Sequence, residues 1–240
     1  MHERLIVALD FPTARQAQDI VAAIGSPAPM FKVGKQLFTA EGPALVRDLV
    51  AAGRKVFLDL KFHDIPNTVA GAVREAAKLN VSMLTVHAAG GSPMLRAAAD
   101  AAAQSAARPL VLAVTVLTSI SEQELQETGV SGTVETQVLR LASLAVRAGC
   151  GGLVASPLEA RLLRRELGEG FAIVTPGVRP AGEEKGDQAR VMTPRQAIEA
   201  GATHIVVGRP ITGAANPAEA ARKIFAEMAA VRSPVNQRTP

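Results

Sequence analysis

The chain has 240 residues, 48% of them hydrophobic and 20% charged, which suits one large globular domain with a substantial core. It has neither Trp nor Tyr, so the stacking platforms of single-stranded nucleic-acid binding proteins are excluded. The net charge of +4 is modest and the basic residues are scattered, which favours a small anionic ligand. We see no signal peptide, no apolar run of membrane-spanning length and no possible intramolecular disulfide, so we expect a cytoplasmic protein.

Apolar, β-branched runs recur along the chain and predict strands, with Ala- and Leu-rich stretches of helical spacing between them. The predicted strands are residues 5–9, 30–34, 55–60, 82–87, 110–116, 152–156, 171–176 and 203–208. Eight alternations of strand and helix predict a single (β/α)8 TIM barrel over residues 1–231, with residues 232–240 as a flexible tail. A doubly wound open sheet is the main alternative, but no G-x-G-x-x-G follows the first strand.

The corners between helices and strands also follow a pattern. Gly53, Gly149 and Gly201 each stand where a predicted helix ends, a position that favours the left-handed conformation. The stretches "SPLE", "TPRQ" and "NPAE" each combine a capping side chain with Pro at the first helical position. A further short helix is predicted in "SISEQELQETG". We expect Cys150, at one of these corners, to be a small buried filler.

Polar residues fall at the ends of almost every predicted strand, which is where active sites lie in such barrels. A purely structural barrel would need few of them. The residues at these ends are Asp10, Lys32, Asp59, Lys61, His87, Thr118, Arg179 and Arg209, with Gly208 next to Arg209.

The stretch "FLDLKFHDIPNT" closes a strand with acid, base and acid. Because side chains alternate along a strand, Asp59 and Lys61 share the face toward the barrel mouth, and Asp64 lies just beyond on the loop. Nearby carboxylates favour the cationic form of Lys61, which suits it to donate a proton to a nascent carbanion. A carboxylate near a substrate carboxylate would repel it until CO2 leaves. A structural ion-pair network is the alternative interpretation.

A second cluster suggests an anion site. Residues 177–191 form a Gly-rich, charged stretch after strand seven, and Gly208 and Arg209 follow strand eight. Phosphate sites in these barrels are commonly built from the loops after strands seven and eight, and arginine offers a forked donor. A surface arginine near a helix start is the alternative interpretation of Arg209.

These motifs resemble those of the orotidine 5′-phosphate decarboxylase family. "FLDLKFHDIPNTV" is similar to its D-x-K-x-x-D signature. "LIVALDF", "FKVGKQLF", "LTVHAAGG", "VTVLTS", "VTPGVRP" and "VVGRPIT" follow in the family's order. The resemblance implies conversion of orotidine 5′-phosphate to UMP and CO2 without metal or organic cofactor, by a homodimer.

The resemblance also implies roles for individual residues. Asp10 and Lys32 would hold the ribose hydroxyls, and Asp59 and Lys61 would form the central charge pair, with Lys61 as proton donor to C6. Asp64 and Thr68 would serve the partner subunit's site. The remaining matched positions would contact the pyrimidine or the phosphate: Thr118 beside the pyrimidine, and Arg179, Gln188, Gly208 and Arg209 at the phosphate.

Two other functions remain open at this point. Related sugar-phosphate decarboxylases and synthases share D-x-K-x-x-D but bind Mg²⁺ with an acidic residue on strand two. Lys32 occupies that strand here, and its charge would repel a metal ion. A non-catalytic barrel that binds a nucleotide as a sensor is the second alternative. The retention of every matched charged residue argues against it.

Overall fold

A computed structural model describes residues 2–27, 29–180 and 192–231, and in them eight parallel strands close into a barrel in chain order. The barrel class predicted from the sequence is confirmed. The strands are β1 (Leu5–Ala8), β2 (Met30–Gly34), β3 (Val56–Phe62), β4 (Met83–His87), β5 (Leu110–Val114), β6 (Gly152–Val154), β7 (Ala172–Thr175) and β8 (His204–Val207). The tail at 232–240 and most of the loop at 177–191 lie outside the described residues.

Helices cover the outside of the barrel, and none in the described part of the chain is long and apolar enough to cross a bilayer. The helices are α1 (Ala14–Ile24), α2 (Lys35–Ala51), α3 (Pro66–Lys78), α4 (Gly91–Ala103), α5 (Glu122–Glu127), α6 (Val134–Arg147), α7 (Pro157–Leu167), α8 (Pro194–Glu199), α9 (Arg209–Thr212) and α10 (Pro217–Ala229). α2 begins earlier than the helical stretch read from residue 41, and it is kinked at Gly42, where φ is 65° and Pro43 follows.

The predicted helix boundaries are confirmed where local chemistry fixes them. Ser156 and Thr193 each form a reciprocal capping box, and the Asn216 side chain accepts from the backbone N–H of Glu219. The short helix α5 also starts with a capping box at Ser121. Gly53, Gly149 and Gly201 have φ of 73°, 87° and 107°, the left-handed values expected after a helix end.

Two apolar layers fill the molecule. One lies between the strands and the surrounding helices and includes Cys150, whose thiol pKa is raised by burial to about 12. The other fills the inside of the barrel. It contains Ile6, Ala8, Met30, Phe57, Met83, Leu112, Val174 and Val206.

The apolar layer inside the barrel determines which side chains face the interior nearer the carboxyl ends of the strands. Side chains alternate, so the residue two positions after an inner residue faces the same interior. Met30 is thus followed by Lys32, Phe57 by Asp59 and Met83 by Thr85. The apolar floor therefore has polar and charged groups directly above it.

Candidate active site

Two adjoining cavities open at the carboxyl end of the barrel. One has a volume of about 460 Å³ and a mainly polar lining, and the other has about 220 Å³ and a mainly apolar lining. Lys32, Asp59, Pro176 and Val206 line both, so the two cavities meet at a pair of opposite charges. The site expected from strand-end residues is therefore a real concavity.

Four charged side chains of alternating sign form a chain across this junction. Lys32 Nζ lies 2.9 Å from Asp10 Oδ1 and 3.8 Å from Asp59 Oδ2. Lys61 Nζ donates to both oxygens of Asp59, at 2.8 Å each. Exposed fractions of the side chains are 61% for Asp10, 11% for Lys32, 13% for Asp59 and 24% for Lys61. The two inner members are thus largely removed from water.

The Asp59 carboxyl remains ionised in this buried position. Burial alone would raise its pKa, because a charged group loses hydration. The positive charges of Lys32 and Lys61, with hydrogen bonds from Lys61 and Thr85, outweigh that effect and hold the pKa of Asp59 below its ordinary value. The site therefore keeps a buried carboxylate next to an ammonium group at neutral pH.

Lys61 has an unusual backbone. Its φ is 52°, in the left-handed region that residues with a Cβ seldom adopt. The pairing of β3 with β4 also shifts here, from Leu58 opposite Leu84 to Phe62 opposite Val86. The lysine that carries the central ammonium group thus stands on a local irregularity of the strand, a feature that often accompanies functional sites.

The polar cavity is lined by groups suited to an anion. Arg179 and Arg209 line it together with Gly208 and Thr212, and Arg179 Nη1 donates to the carbonyl oxygen of Val178 at 3.2 Å. The Arg179 backbone N–H donates to Met192 O at 3.0 Å, which joins the two sides of the loop after β7. Asp10 lines the same cavity on the side of β1. Gln188, predicted from the resemblance to belong here, lies outside the described residues.

The apolar cavity has the lining expected for a flat ring. Thr118 and Ser119, the two uncharged polar residues of its lining, adjoin Leu117, a residue that is 37% exposed. Lys32, Asp59 and Lys61 form its charged edge. The remaining lining residues are apolar: Phe57, Val114, Val116, Val154, Ala155, Val174, Pro176 and Val206.

Asp64 and Thr68 are placed differently from the other matched residues. Both are exposed and line neither cavity of their own chain. Asp64 Oδ1 accepts from the backbone N–H of Ile65 at 2.7 Å, and Ile65 itself is 67% exposed. The structure of one chain therefore leaves these residues beside the site rather than in it.

The histidines near the rim also stay outside both cavities. His87 ends β4, and its ring centroid lies 5.3 Å from that of His63. Burial lowers the pKa of His87, and nearby His63, Lys35 and Lys61 lower it further, while the charge of Asp59 opposes the shift. His204 begins β8 at the opposite end of the barrel, as expected.

Sequence reasoning missed several residues of the site. Thr85 is fully buried and donates to Asp59 Oδ1 at 3.0 Å. Ser119 and Thr212 line the cavities. The available signal was strand alternation, since Thr85 stands two positions before the rim residue His87. A search confined to strand ends overlooked it.

The donor set of the site does not suit a metal ion. Across residues 2–27, 29–180 and 192–231, no group of three or more His, Cys, Asp or Glu side chains could hold one. The carboxylates of Asp10 and Asp59 are instead joined by the ammonium of Lys32.

Comparisons with known proteins agree with this geometry. The sequence model of the "Orotidine 5'-phosphate decarboxylase / HUMPS family" matches residues 3–224. An orotidine 5′-phosphate decarboxylase from Moorella thermoacetica is 52% identical, covering 96% of this chain and 94% of that protein. One from Halorhodospira halophila is 55% identical, covering 95% and 96%.

A solved structure gives the same result in three dimensions. The crystal structure of orotidine 5′-phosphate decarboxylase from Lactobacillus acidophilus superposes with a TM-score of 0.84 at 42% identity, covering 93% of this chain and 98% of that one. The family match spans far more than half of the chain, and the relatives cover nearly all of it. The chain therefore belongs to the orotidine 5′-phosphate decarboxylase / HUMPS family.

Proposed function

We propose that this protein decarboxylates orotidine 5′-phosphate to UMP and CO2, the last step of de novo pyrimidine nucleotide synthesis, in the cytoplasm. The observation that carries the proposal is the ammonium of Lys61, bonded to both oxygens of Asp59 where a cationic cavity meets an apolar one. A nucleotide has the same two parts, an anionic phosphate and a flat base.

We propose one orientation of the substrate across the two cavities. We expect its phosphate beside Arg179, Arg209 and the backbone of Gly208, and the family resemblance adds Gln188 to this group. The pyrimidine enters the apolar cavity next to Thr118. The ribose then lies between the cavities, where Asp10 and Lys32 can bond its hydroxyls. The relatives' names, which specify orotidine 5′-phosphate, support this substrate over a sugar phosphate.

The chemistry follows from the pair of Asp59 and Lys61. The substrate carboxylate, placed near the Asp59 carboxylate, is repelled by it, and the repulsion disappears when the C6–carboxyl bond breaks and CO2 leaves. The electron pair of that bond stays on C6. Lys61 donates a proton to C6, and its amine takes a proton back from water. Binding of the distant phosphate can offset the cost of bringing like charges together.

No cofactor enters this scheme. The related sugar-phosphate enzymes bind Mg²⁺ with an acidic residue on strand two. In this chain strand two carries Lys32, whose ammonium lies 2.9 Å from Asp10 and would oppose a cation there. We therefore propose that activity is independent of metal.

The direct experiment measures UMP formed from orotidine 5′-phosphate by purified protein, with and without a chelator. We expect equal rates in both conditions. Binding of UMP without any release of CO2 from the substrate would instead support a nucleotide sensor. Loss of activity in the presence of chelator would indicate the metal-dependent sugar-phosphate enzymes.

We further propose a two-fold homodimer with composite sites. Asp64 and Thr68 are exposed, outside their own chain's cavities, and close in sequence to the rim. An isologous dimer with facing rims would bring each pair into the neighbouring site. This arrangement gives Asp64 the catalytic role that the family resemblance implies.

Subunit complementation tests the shared site. Inactive Lys61→Ala and inactive Asp64→Ala chains are mixed and allowed to exchange. Each heterodimer should contain one site with both lesions and one intact site, so activity should return to about one working site per heterodimer. Exchange confirmed by mass, but with no activity, would show that Asp64 serves its own subunit.

A further inference from the structure

The buried hydroxyl of Thr85 makes two hydrogen bonds that link the central charge pair. Thr85 Oγ1 accepts from the backbone N–H of Lys61 at 2.9 Å and donates to Asp59 Oδ1 at 3.0 Å. Its exposed fraction is 0%, and it lines neither cavity. A hydroxyl has one proton, so donation to Asp59 leaves its lone pairs for Lys61.

The backbone of β3 explains why Lys61 needs this partner. Between the paired positions, β3 advances four residues, from Leu58 to Phe62, while β4 advances two, from Leu84 to Val86. The two extra residues break the ladder, and Lys61 takes a φ of 52°. Its N–H is therefore directed at a side chain, and an unpaired buried N–H would be costly.

The same hydroxyl also limits how the Asp59 carboxylate can turn. Oδ1 receives both the Thr85 hydroxyl and the Lys61 ammonium, which also donates to Oδ2. Rotation of the carboxylate would lose the Thr85 bond and unbalance the two contacts with Lys61. One hydroxyl thus joins the backbone of the proton donor to the side chain of its acidic partner.

We propose that Thr85 is a positioning residue of this site, which holds the irregular backbone at Lys61 and the orientation of the Asp59 carboxylate in one fixed geometry. The inference rests on the proposed decarboxylation, in which Lys61 must reach C6 while Asp59 faces the departing carboxyl group. Thr85 acts through these two residues and does not touch the substrate.

Thr85→Val removes the hydroxyl and keeps the shape of the side chain. We expect kcat to fall by about tenfold to hundredfold, the range of a hydrogen bond to a charged group, while KM and UMP affinity change by less than about threefold. Thr85→Ser keeps the hydroxyl and should restore most of kcat. If the valine variant does not fold, Thr85→Ala takes its place with the same readouts.

Thr115→Val is the matched control. Thr115, just after β5, is also a buried threonine, 4% exposed, but its hydroxyl donates to the backbone carbonyl of Val154 at 3.0 Å instead of to a carboxylate. Both valine variants should lose similar stability, and only Thr85→Val should lose kcat. Equal kcat values for the two variants, or a serine variant as impaired as the valine variant, would overturn the inference.

A crystal structure of Thr85→Val separates this inference from the proposed function. We expect Lys61 Nζ to move away from at least one Asp59 oxygen. An unchanged arrangement of Lys61 and Asp59 would overturn the positioning role even if orotidine 5′-phosphate were the substrate. Absence of UMP formation by the unmodified protein would instead contradict the proposed function.

Discussion

The two ends of the barrel use their charged side chains in different ways. At the amino end, Arg164 donates to the carbonyl oxygens of Gly201, Gly168 and Phe171, at 3.0, 3.3 and 2.9 Å. Arg4 similarly donates to the Thr203 carbonyl at 2.8 Å. These arginines donate hydrogen bonds to backbone carbonyl oxygens, and those bonds stabilise the fold.

At the carboxyl end, the charged groups are directed at one another and at a cavity. Lys32, Asp59 and Lys61 meet there largely away from water, and Lys61 has a strained backbone. Such an arrangement costs folding energy that a fully apolar layer would not. The comparison indicates that the amino end was shaped by stability and the carboxyl end by chemistry.

Loss of the proposed phosphate contact of Arg209 is expected to have the largest effect among the following changes. Arg209→Ala should lower kcat/KM for orotidine 5′-phosphate by about a hundredfold, because charged hydrogen bonds contribute roughly 1.5–3 kcal/mol each. Orotidine, which has no phosphate, should be turned over at a nearly unchanged rate. Steady-state kinetics with both substrates measures this, and Arg222→Ala, at an exposed position of α10, is the control. Equal damage on both substrates would show that Arg209 acts structurally.

The amino end should show the opposite response. Arg164→Ala removes three hydrogen bonds and a contact with the Phe171 ring, whose centroid lies 4.9 Å from the guanidinium carbon. We expect the free energy of unfolding to fall by about 2–3 kcal/mol, with kcat unchanged. Denaturant unfolding and the UMP assay measure the two quantities. Arg165→Ala, an exposed neighbour, should change neither, and a loss of kcat in Arg164→Ala would contradict the division between the ends.

The same end should carry a pH dependence. Burial, helped by Arg4, lowers the pKa of His204 from 6.5 to about 4. Between these values the unfolded chain binds the proton and the folded one does not, so stability falls as pH falls from about 6.5 to about 4. With allowance for partial exposure, the loss is about 2 kcal/mol. The free energy of unfolding is measured at pH 7 and pH 4.5 for the natural chain and for His204→Asn. The natural chain should lose more of it between the two pH values than the variant does. Equal losses would contradict a buried neutral histidine.

Backbone strain at Lys61 gives the smallest expected effect. Glycine adopts a φ of 52° without steric cost because it has no Cβ, whereas the Cβ of alanine makes the same angle unfavourable. Lys61→Gly should therefore be more stable than Lys61→Ala by about 1 kcal/mol, although both lack the ammonium. Denaturant unfolding of the two variants measures the difference. Greater stability of the alanine variant would show that the left-handed backbone carries no strain.

Much of the architecture could be predicted from the sequence because it depends on local patterns. Strand-length apolar runs placed the eight strands, and Gly201 or Ser156 marked the ends of helices through backbone conformation and capping chemistry. The start of α2 at Lys35 was missed, because Gly42 and Pro43 conceal that the helix continues across a kink.

Some features of the candidate site also follow from local sequence patterns, and others do not. Strand alternation placed Asp59 and Lys61 on one face, and their side chains do meet. The left-handed backbone of Lys61 and the two bonds of Thr85 depend on the register between β3 and β4, which no local pattern records. The roles of Asp64 and Thr68 depend on a second chain, so they remain predictions.

The central claim is that the charged carboxyl end serves catalysis, with Lys61 as the proton donor. Its most direct test measures turnover of orotidine 5′-phosphate and UMP binding by Lys61→Ala. We predict a folded protein that binds UMP and forms no measurable UMP from the substrate, because no acid remains to protonate C6. Substantial decarboxylation by the purified variant would contradict the assignment.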